Sequence, residues 1–391
     1  MAGQDIYDFV VVGAGMAGVS LAYRIGGMAR TLVLEAETQP GYHSSGRSAA
    51  MFMETYGTPT TRALTRASRR FFTQPPEQFS EHPLLTDRGV LYLVREGQEK
   101  LKENFLLDAR DSGNRIREIS AEEVLRRVPC VQAEGLLGAV EELDAKDVDV
   151  HALLQGFLRG ARQQGVEFLF STKITHSLRE NDLWVLQLSN GTEVQARTVV
   201  NAAGAWAQEV GAQFGALEVG LQPKRRSAFT FKALCNGNSE PIPAAEFEAW
   251  PAVVGIDESY YFKPDAGQLM GSPANADPVD AHDVVPEELD IAIGIDRITS
   301  ATTLDIRRPT HTWAGLRSFV ADGDFVIGWD PQLSGFFWLA GQGGYGIQTA
   351  PGASLLAANI LLEQELDPVL VQEQVEPDAL TPKRFQTQSA L

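Results

Sequence analysis

Cysteine is nearly absent: Cys130 and Cys235 are the only two in 391 residues. That is too few for a disulfide framework, and their spacing fits neither a CxxC motif nor a metal site, so both read as inert thiols of a reducing compartment. Positive charge is also scarce. With 33 Lys and Arg against 51 Asp and Glu, the net charge is −18, which argues against binding a phosphate backbone and otherwise favours solubility. No stretch reaches the roughly 18–20 apolar residues of a membrane span. Residues 9–21 are apolar enough to resemble a signal-peptide core, but Asp5 and Asp8 stand where a basic segment belongs. Repeats, low-complexity linkers and metal-ligand clusters are missing too. A soluble, cytoplasmic α/β protein is expected, and the length predicts two domains.

The strongest positive signal lies in the first fifty residues. Phe9 to Val12 reads as a short buried parallel strand, Gly13, Gly15 and Gly18 form GxGxxG, and Val19 to Ile25 has helical apolar spacing. Thr31 to Leu34 is a second buried strand that ends on Glu35. The first glycine makes the turn, the second admits a pyrophosphate, and the third lets helix and strand pack closely. The helix N-terminus offers N–H groups and a positive dipole end to phosphate. Glu35 suits the two hydroxyls of an adenosine ribose and disfavours a 2′-phosphate, which leaves NAD or FAD. After it, residues 41–50 (GYHSSGRSAA) form an arm of small and hydroxyl residues with one arginine. Such an arm can lay N–H groups and a guanidinium along a long cofactor; a plain loop leading into a helix is the alternative.

Further along, Thr60 to Phe72 reads as an amphipathic helix with Ala63, Leu64, Ala67, Phe71 and Phe72 inward, and Gly89 to Val94 as a strand. Glu96 to Val128 reads as charged, helical scaffold. His151 opens a helix over Ala152 to Gln164 as a cap or surface residue, and Val166 to Ser171 is a strand. Asn190-Gly191 turns a hairpin between Trp184–Leu188 and Thr192–Ala196. Thr198 to Trp206 is a buried strand ending in small residues, suited to close approach of a dinucleotide. Lys224, Arg225 and Arg226 concentrate positive charge in an acidic chain, and Ser259 to Pro264 is an aromatic strand. Arg317 sits alone among apolar residues in a strand that should be half buried, so it calls for an anionic partner such as a substrate carboxylate. Phe336 to Thr349 is a strand, a glycine turn and a helix start, which closes a discontinuous dinucleotide domain. Beyond about Pro368 the chain reads as a loosely held tail.

These segments resemble one family. GYHSSGRSAA at 41–50, YGTP at 56–59, EHPLL at 81–85, NAAGAW at 201–206, LQPKRRSAF at 221–229, GSPANADP at 271–278, HTWAGLRSFVADGD at 311–324 and GGYGIQT at 343–349 are similar to the FAD-dependent D-amino-acid oxidase/dehydrogenase superfamily, and within it to the bacterial D-arginine dehydrogenases. The resemblance implies a glutathione-reductase-like Rossmann FAD domain (1–86, 150–215 and 320–391) and a mixed-sheet α+β substrate domain (87–149 and 216–319). It implies non-covalent FAD held by Gly13, Gly15, Ala17, Gly18, Glu35, Ala36, Ser44, Ser45, Gly46, Arg47, Ser48, Ala49, Ala50, Met51, Ile174, Ala203, Gly204, Gly343, Gly344, Tyr345, Gly346, Ile347, Gln348 and Thr349. Arg226 and Arg317, with Tyr56 and Tyr261, would clamp a substrate carboxylate, and the Gly344 carbonyl would receive the amino group. The implied reaction is hydride transfer from a D-amino acid, giving a 2-oxo acid and ammonia, with oxygen or a quinone as final acceptor.

Three positions depart from the D-arginine pattern. Val90 stands where a glutamate receives the cationic side chain, Met51 where an active-site histidine stands, and Met53 where a threonine stands. Burying a guanidinium without a carboxylate costs several kcal/mol, whereas Val and Met gain about 0.8 kcal/mol per methylene they cover. Neutral or apolar D-amino acids are therefore expected, unless Asp87 or Glu54 restores the charge. A D-arginine or D-lysine dehydrogenase, a secondary-amine oxidase of the sarcosine, glycine or proline type, an NAD-linked dehydrogenase and a flavin-binding protein without turnover are the alternatives.

Overall fold

In the computed structural model, which describes residues 6–110, 115–235 and 240–390, two large sheets meet along one cleft. Asp5 and residues 111–114 of the expected helical scaffold lie outside the described residues.

The first sheet grows from the N-terminal motif. Strand Ile6–Val12 is flanked in parallel by Thr31–Leu34 and by Glu193–Asn201, and Glu167–Leu169 extends the sheet beyond Thr31–Leu34. Strand Glu193–Asn201 is long because it serves two partners. Its first half closes the hairpin with Leu183–Leu188, and its last three residues pair in parallel with Phe336–Ala340. The parallel strands are buried on both faces, which explains their continuous apolar runs. Ile6–Val12, Thr31–Leu34, Glu193–Asn201 and Phe336–Ala340 end at the same edge, on Gly13, Glu35, Ala202 and Gly341. In open parallel sheets the carboxyl edge is where ligands bind.

Helix Met16–Ile25 follows the glycine turn and is buried against Val150–Gln163 and Ala350–Leu361. Asp149 caps Val150–Gln163 by accepting from Ala152 N at 2.8 Å. His151 is an exposed first-turn residue and makes no cap. Helix Pro59–Thr73 begins after Thr58 and buries Ala63, Leu64, Ala67 and Phe72 as its periodicity predicts.

The second sheet is mixed, in the order Asp277–Pro278, Gln222–Phe231, Gln268–Ser272, Tyr261–Asp265, Ala252–Gly255, Val90–Arg95, Leu136–Glu142, Ile116–Ser120, with His311–Phe319 also paired to Gln222–Phe231. A small third sheet joins Met51–Phe52, Lys146–Val148 and Leu85–Asp87.

Two expectations are corrected. The stretch 96–128 is not helical throughout: Glu99–Ala109 and Ala121–Arg127 are helices, but Ile116–Ser120 is an edge strand. Only Ile119 of that strand is buried, so its charged neighbours carry no strand periodicity to read. The chain beyond Pro368 is not loose. Short helices Pro368–Gln372 and Pro377–Leu380 bury Leu370 and Leu380, and Phe385 is buried after them.

Candidate functional site

The cleft begins at the carboxyl edge of the first sheet. Gly13 adopts φ +104°, and a Cβ there would lie 2.5 Å from the Ala202 carbonyl oxygen. At Gly18 a Cβ would lie 1.9 Å from the Gly13 carbonyl oxygen, so this glycine serves helix packing and does not reach the cleft. Helix Met16–Ile25 starts on Gly15 with no side-chain cap and no acid in its first turn, which leaves a positive helix end facing open space. The Glu35 carboxylate accepts from Ala14 N at 2.7 Å and from Glu37 N at 2.9 Å. It lines the outer part of the cleft with Ala36, Ile174, Ala203 and Gly204. His43, Thr172, Lys173 and Trp206 line it as well. His43 and Trp206 sit inside segments that the sequence marks, but sequence reasoning passes over them as aromatic rings among small residues; Thr172 and Lys173 lie in a loop that carries no motif.

The arm at 41–50 is irregular chain with no helix. Ser45 Oγ accepts from Met16 N at 2.9 Å, which ties the arm to the helix start, and Ser44 Oγ donates to the Leu316 carbonyl at 2.6 Å. The Arg47 guanidinium turns away from the helix start. It donates to the Val284 and Ala314 carbonyls and pairs with Asp283 at 2.5 Å, so it staples the arm to the second sheet. Ala17, Ser44, Ser45, Arg47, Ser48, Ala49, Gly204, Gly343, Gly344, Gly346 and Ile347 border the middle of the cleft. Ala50, Met51 and Gln348 border its inner end. Gly46, Tyr345 and Thr349 stand behind that surface. A Cβ on Gly46 would lie 2.5 Å from the Gly41 carbonyl oxygen, and Thr349 is fully buried at the head of helix Ala350–Leu361.

At the inner end, Tyr56, Arg226, Tyr261, Arg317 and Gly344 line one cavity of about 150 Å³. Strand register explains the convergence. Arg226 pairs with Gly315 and Lys224 with Arg317, so Arg226 and Arg317 lie diagonally on one face, with no side chain between them. Alternation separates the basic run. Arg225 points to the other face, where it is buried against Asp290 at 2.8 Å and Glu287. Arg226 donates to the Asn275 carbonyl at 2.6 Å, and Arg317 to the Tyr56 hydroxyl at 3.3 Å. Among the described residues neither forms an ion pair. Burial lowers the pKa of Arg226 below the usual arginine value, and the nearby Arg317 charge lowers it further. Burial acts the same way on Arg317, but the phenolic groups of Tyr56 and Tyr261 outweigh it and leave its pKa raised. Both guanidinium groups stay cationic at neutral pH. Two adjacent, partly desolvated cations without a carboxylate form a ready anion site.

Gly344 completes this wall. A Cβ there would lie 2.9 Å from Arg317 Nη1 and 3.3 Å from the Tyr56 hydroxyl. The loop is fixed by Gly343 N donating to the Ser318 carbonyl at 2.9 Å. Gln348, buried, bonds both the N–H and the carbonyl of Met53 and so holds the segment that carries Tyr56. Behind that segment Thr55 Oγ1 donates to the buried Glu142 carboxylate at 2.6 Å.

Away from the clamp the walls are apolar: Met51, Met53, Val90, Tyr92, Ala252 and Val254. Neither acid considered as a replacement charge reaches them. Asp87 is exposed and bonded to Lys146, and Glu54 is buried in a pair with Arg69. Two charged residues that no sequence motif marked also border the cavity. Glu258 lies exposed at its mouth, in a turn at φ +56°, and Lys263 lies in its wall.

The cleft has the parts an FAD needs: a glycine turn, a helix N-terminus with no acid in its first turn, a carboxylate after the second strand and an open channel to the second sheet. Residues 8–360 match the DAO family, described as FAD dependent oxidoreductase. The chain belongs to this family. It is therefore an FAD-dependent oxidoreductase. It is 24% identical to glycine oxidase of Bacillus licheniformis, over 91% of this chain and 93% of that protein. It is 25% identical to hydrogen cyanide synthase subunit HcnC of Pseudomonas aeruginosa, over 71% of this chain and 64% of that subunit. Among solved structures, glycine oxidase from Geobacillus kaustophilus superposes with a TM-score of 0.78 at 21% identity, covering 92% and 95% of the two chains. The L-proline dehydrogenase of P. horikoshii gives a TM-score of 0.78 at 18% identity, covering 98% and 99%. At those identities the structural likeness speaks to the fold, and the two-sheet α/β architecture is as expected. Both cysteines lie off the cleft lining, and burial holds the Cys130 thiol far above its usual pKa. Among the described residues no metal-ligand cluster and no helix long and apolar enough to cross a membrane occurs.

Proposed function

We propose that this chain oxidises the Cα–N bond of D-amino acids, with neutral or apolar side chains favoured over cationic ones, giving 2-oxo acids and ammonia. The carrying observation is the pair Arg226 and Arg317, two cations on one sheet face with no acidic partner among the described residues, at the inner end of the cleft. An α-carboxylate fits them as a forked, charge-assisted ligand. Held there, with the phenols of Tyr56 and Tyr261 beside it, the substrate has its α-carbon fixed relative to the cleft, which removes most of the orientational cost of reaction. The Gly344 carbonyl lies next to this clamp and suits an α-amino group as acceptor. FAD, held non-covalently beside Gly13, Gly15 and Glu35, would supply the acceptor for the α-hydrogen, which leaves as hydride. The amine gives up a proton in the same conversion, and water hydrolyses the resulting imino acid. The mechanism needs no strong side-chain base, and none lines the clamp.

The D-configuration rests on the likeness of segments 41–50, 201–206, 221–229 and 311–324 to the bacterial D-arginine dehydrogenases. The side-chain preference rests on the walls, where Val90 and two methionines replace polar groups. A secondary-amine substrate is the second reading. Proline, named in one neighbour, is such an amine; glycine, named in other relatives, is a primary amine without a side chain, and the same clamp would serve either.

Anaerobic bleaching of the flavin tests both. The purified yellow protein is mixed separately with D-leucine, D-methionine, D-phenylalanine, D-arginine, sarcosine, L-proline and L-leucine. Bleaching by the uncharged D-amino acids at least about tenfold faster than by D-arginine is expected, since each desolvated methylene or unpaired charge shifts the balance by about 1 kcal/mol or more. Bleaching by sarcosine or an L-amino acid alone would replace the substrate class.

A further inference from the structure

One group in the cavity wall has no part in this chemistry. Lys263 is 7% exposed and borders the same cavity as Tyr261 and Arg317. Its placement follows from register. Residues 261 and 263 share a face of their strand, and the pairings Val253 with Phe262 and Ala252 with Val90 set Lys263 in one row with Ala252 and Val90, the apolar floor. It lies two residues along the strand from the clamp tyrosine, about 7 Å away.

Lys263 Nζ donates to one Asp147 oxygen at 2.6 Å, and Arg88 Nε to the other at 2.7 Å. Two cations thus share one carboxylate and leave a positive charge. The second cation is committed elsewhere, since Arg88 Nη1 donates to the Glu248 and Trp250 carbonyls. Lys263 is therefore the member that faces the cavity. Of the three donors on Nζ, one is used in the described contacts. The other charges on the cavity are Arg226 and Arg317 at the clamp and Glu258 at the mouth. With an α-carboxylate bound, one positive charge is still uncompensated, and it sits at the side-chain end.

We propose that Lys263 is a specificity-determining residue that receives an oxygen acceptor, carboxylate or carboxamide, at the far tip of the ligand. The preferred ligand then has two polar ends and an apolar stem: one end on Arg226 and Arg317, the stem along Val90 and Ala252, the tip on Lys263. The proposal rests on the arginine clamp of the proposed function but not on the configuration at Cα or on turnover.

The test is binding to the holoenzyme, read from perturbation of the flavin spectrum. Pentanoate, the monoamide of pentanedioic acid and pentanedioate are titrated, with butanedioate and hexanedioate to find the best length. The monoamide should bind tighter than pentanoate, and the best diacid tighter still, by about tenfold or more over pentanoate, the effect of one hydrogen bond to a charged group. Lys263→Met should erase the difference and leave pentanoate affinity within about twofold. The double variant Lys263→Met, Asp147→Asn should do the same without leaving Asp147 short of a partner, and FAD content checks the fold of each. Equal affinity for monoacid and diacids in the parent enzyme, or equal weakening of both by Lys263→Met, would overturn the proposal. Because no turnover is needed, failure of D-amino acids to bleach the flavin would sink the proposed function and leave this outcome readable.

Discussion

At its outer end the cleft is lined by the main chain of Gly13 and Gly15 and the single carboxylate of Glu35, whereas at its inner end it is lined by two cations, Arg226 and Arg317. The outer end is satisfied before any ligand arrives: Glu35 accepts two backbone N–H groups, and Ser45 holds the helix start. The inner end is not. Its cations are partly desolvated and form no ion pair among the described residues, so an anionic ligand relieves a cost that the free protein carries. The contrast repeats within one strand, where Arg225 is neutralised by Asp290 and Glu287 on one face and Arg226, on the other, has only the Asn275 carbonyl and no acid within ion-pair distance among the described residues. Within this strand the structural cation is paired, and the clamp cations form no ion pair among the described residues.

The sharpest way to break this comparison is Arg317→Met. Loss of about 10³-fold in kcat/KM is expected, matching the 3–5 kcal/mol typical of removing one partner of a desolvated charge pair, with FAD content unchanged. Arg317→Lys should recover only part, because an ammonium lacks the planar fork. Loss of FAD instead of substrate binding would show that the two ends are not separable. Next come two glycines of opposite assignment. Gly344→Ala should weaken substrate binding by about a hundredfold, because its methyl group enters the space of Arg317 Nη1 and the Tyr56 hydroxyl, and a displaced forked contact is worth about 2–3 kcal/mol. Gly13→Ala should spare the clamp and reduce FAD retention, since φ +104° and a 2.5 Å approach to Ala202 both oppose a Cβ. Ligand titration and flavin absorbance distinguish these cases.

The same division explains what could be read from the sequence. The outer end is contiguous. A strand, three glycines, a helix and a terminal acid fit within thirty residues, so turn chemistry and periodicity suffice. Arg317 was legible because it stands alone among apolar residues. Lys263 and Glu258 were not. Lys263 acquires its meaning from the register that aligns Val90, Ala252 and position 263 across three strands, and from Asp147 on a different sheet. No local pattern encodes that. The partners of Arg47 were not legible, because Asp283 and Val284 lie more than two hundred residues away. The C-terminal segment read as a tail because its helices Pro368–Gln372 and Pro377–Leu380 are too short to show a helical period between the prolines and acids around them.

Arg47 and Asp283 also give the smallest expected effect, and its sign follows from linkage. The Arg47 hydrogen bond is the main cause that holds the Asp283 carboxyl below its usual pKa. A carboxyl depressed in the folded state contributes stability above its unfolded pKa of about 3.9, and that contribution disappears as pH falls through the folded value. Asp283 is half exposed, so the contribution is at most about 1 kcal/mol and is weakened by salt. Asp283→Asn should therefore lower Tm slightly at pH 7, and the gap should close as pH is taken down past 4. Were the arm at 41–50 held by its Ser45 tie to the helix start alone, the gap would be absent at every pH. A gap that closes in acid would instead mark Arg47 as the staple between the satisfied end of the cleft and the sheet that carries the unsatisfied one.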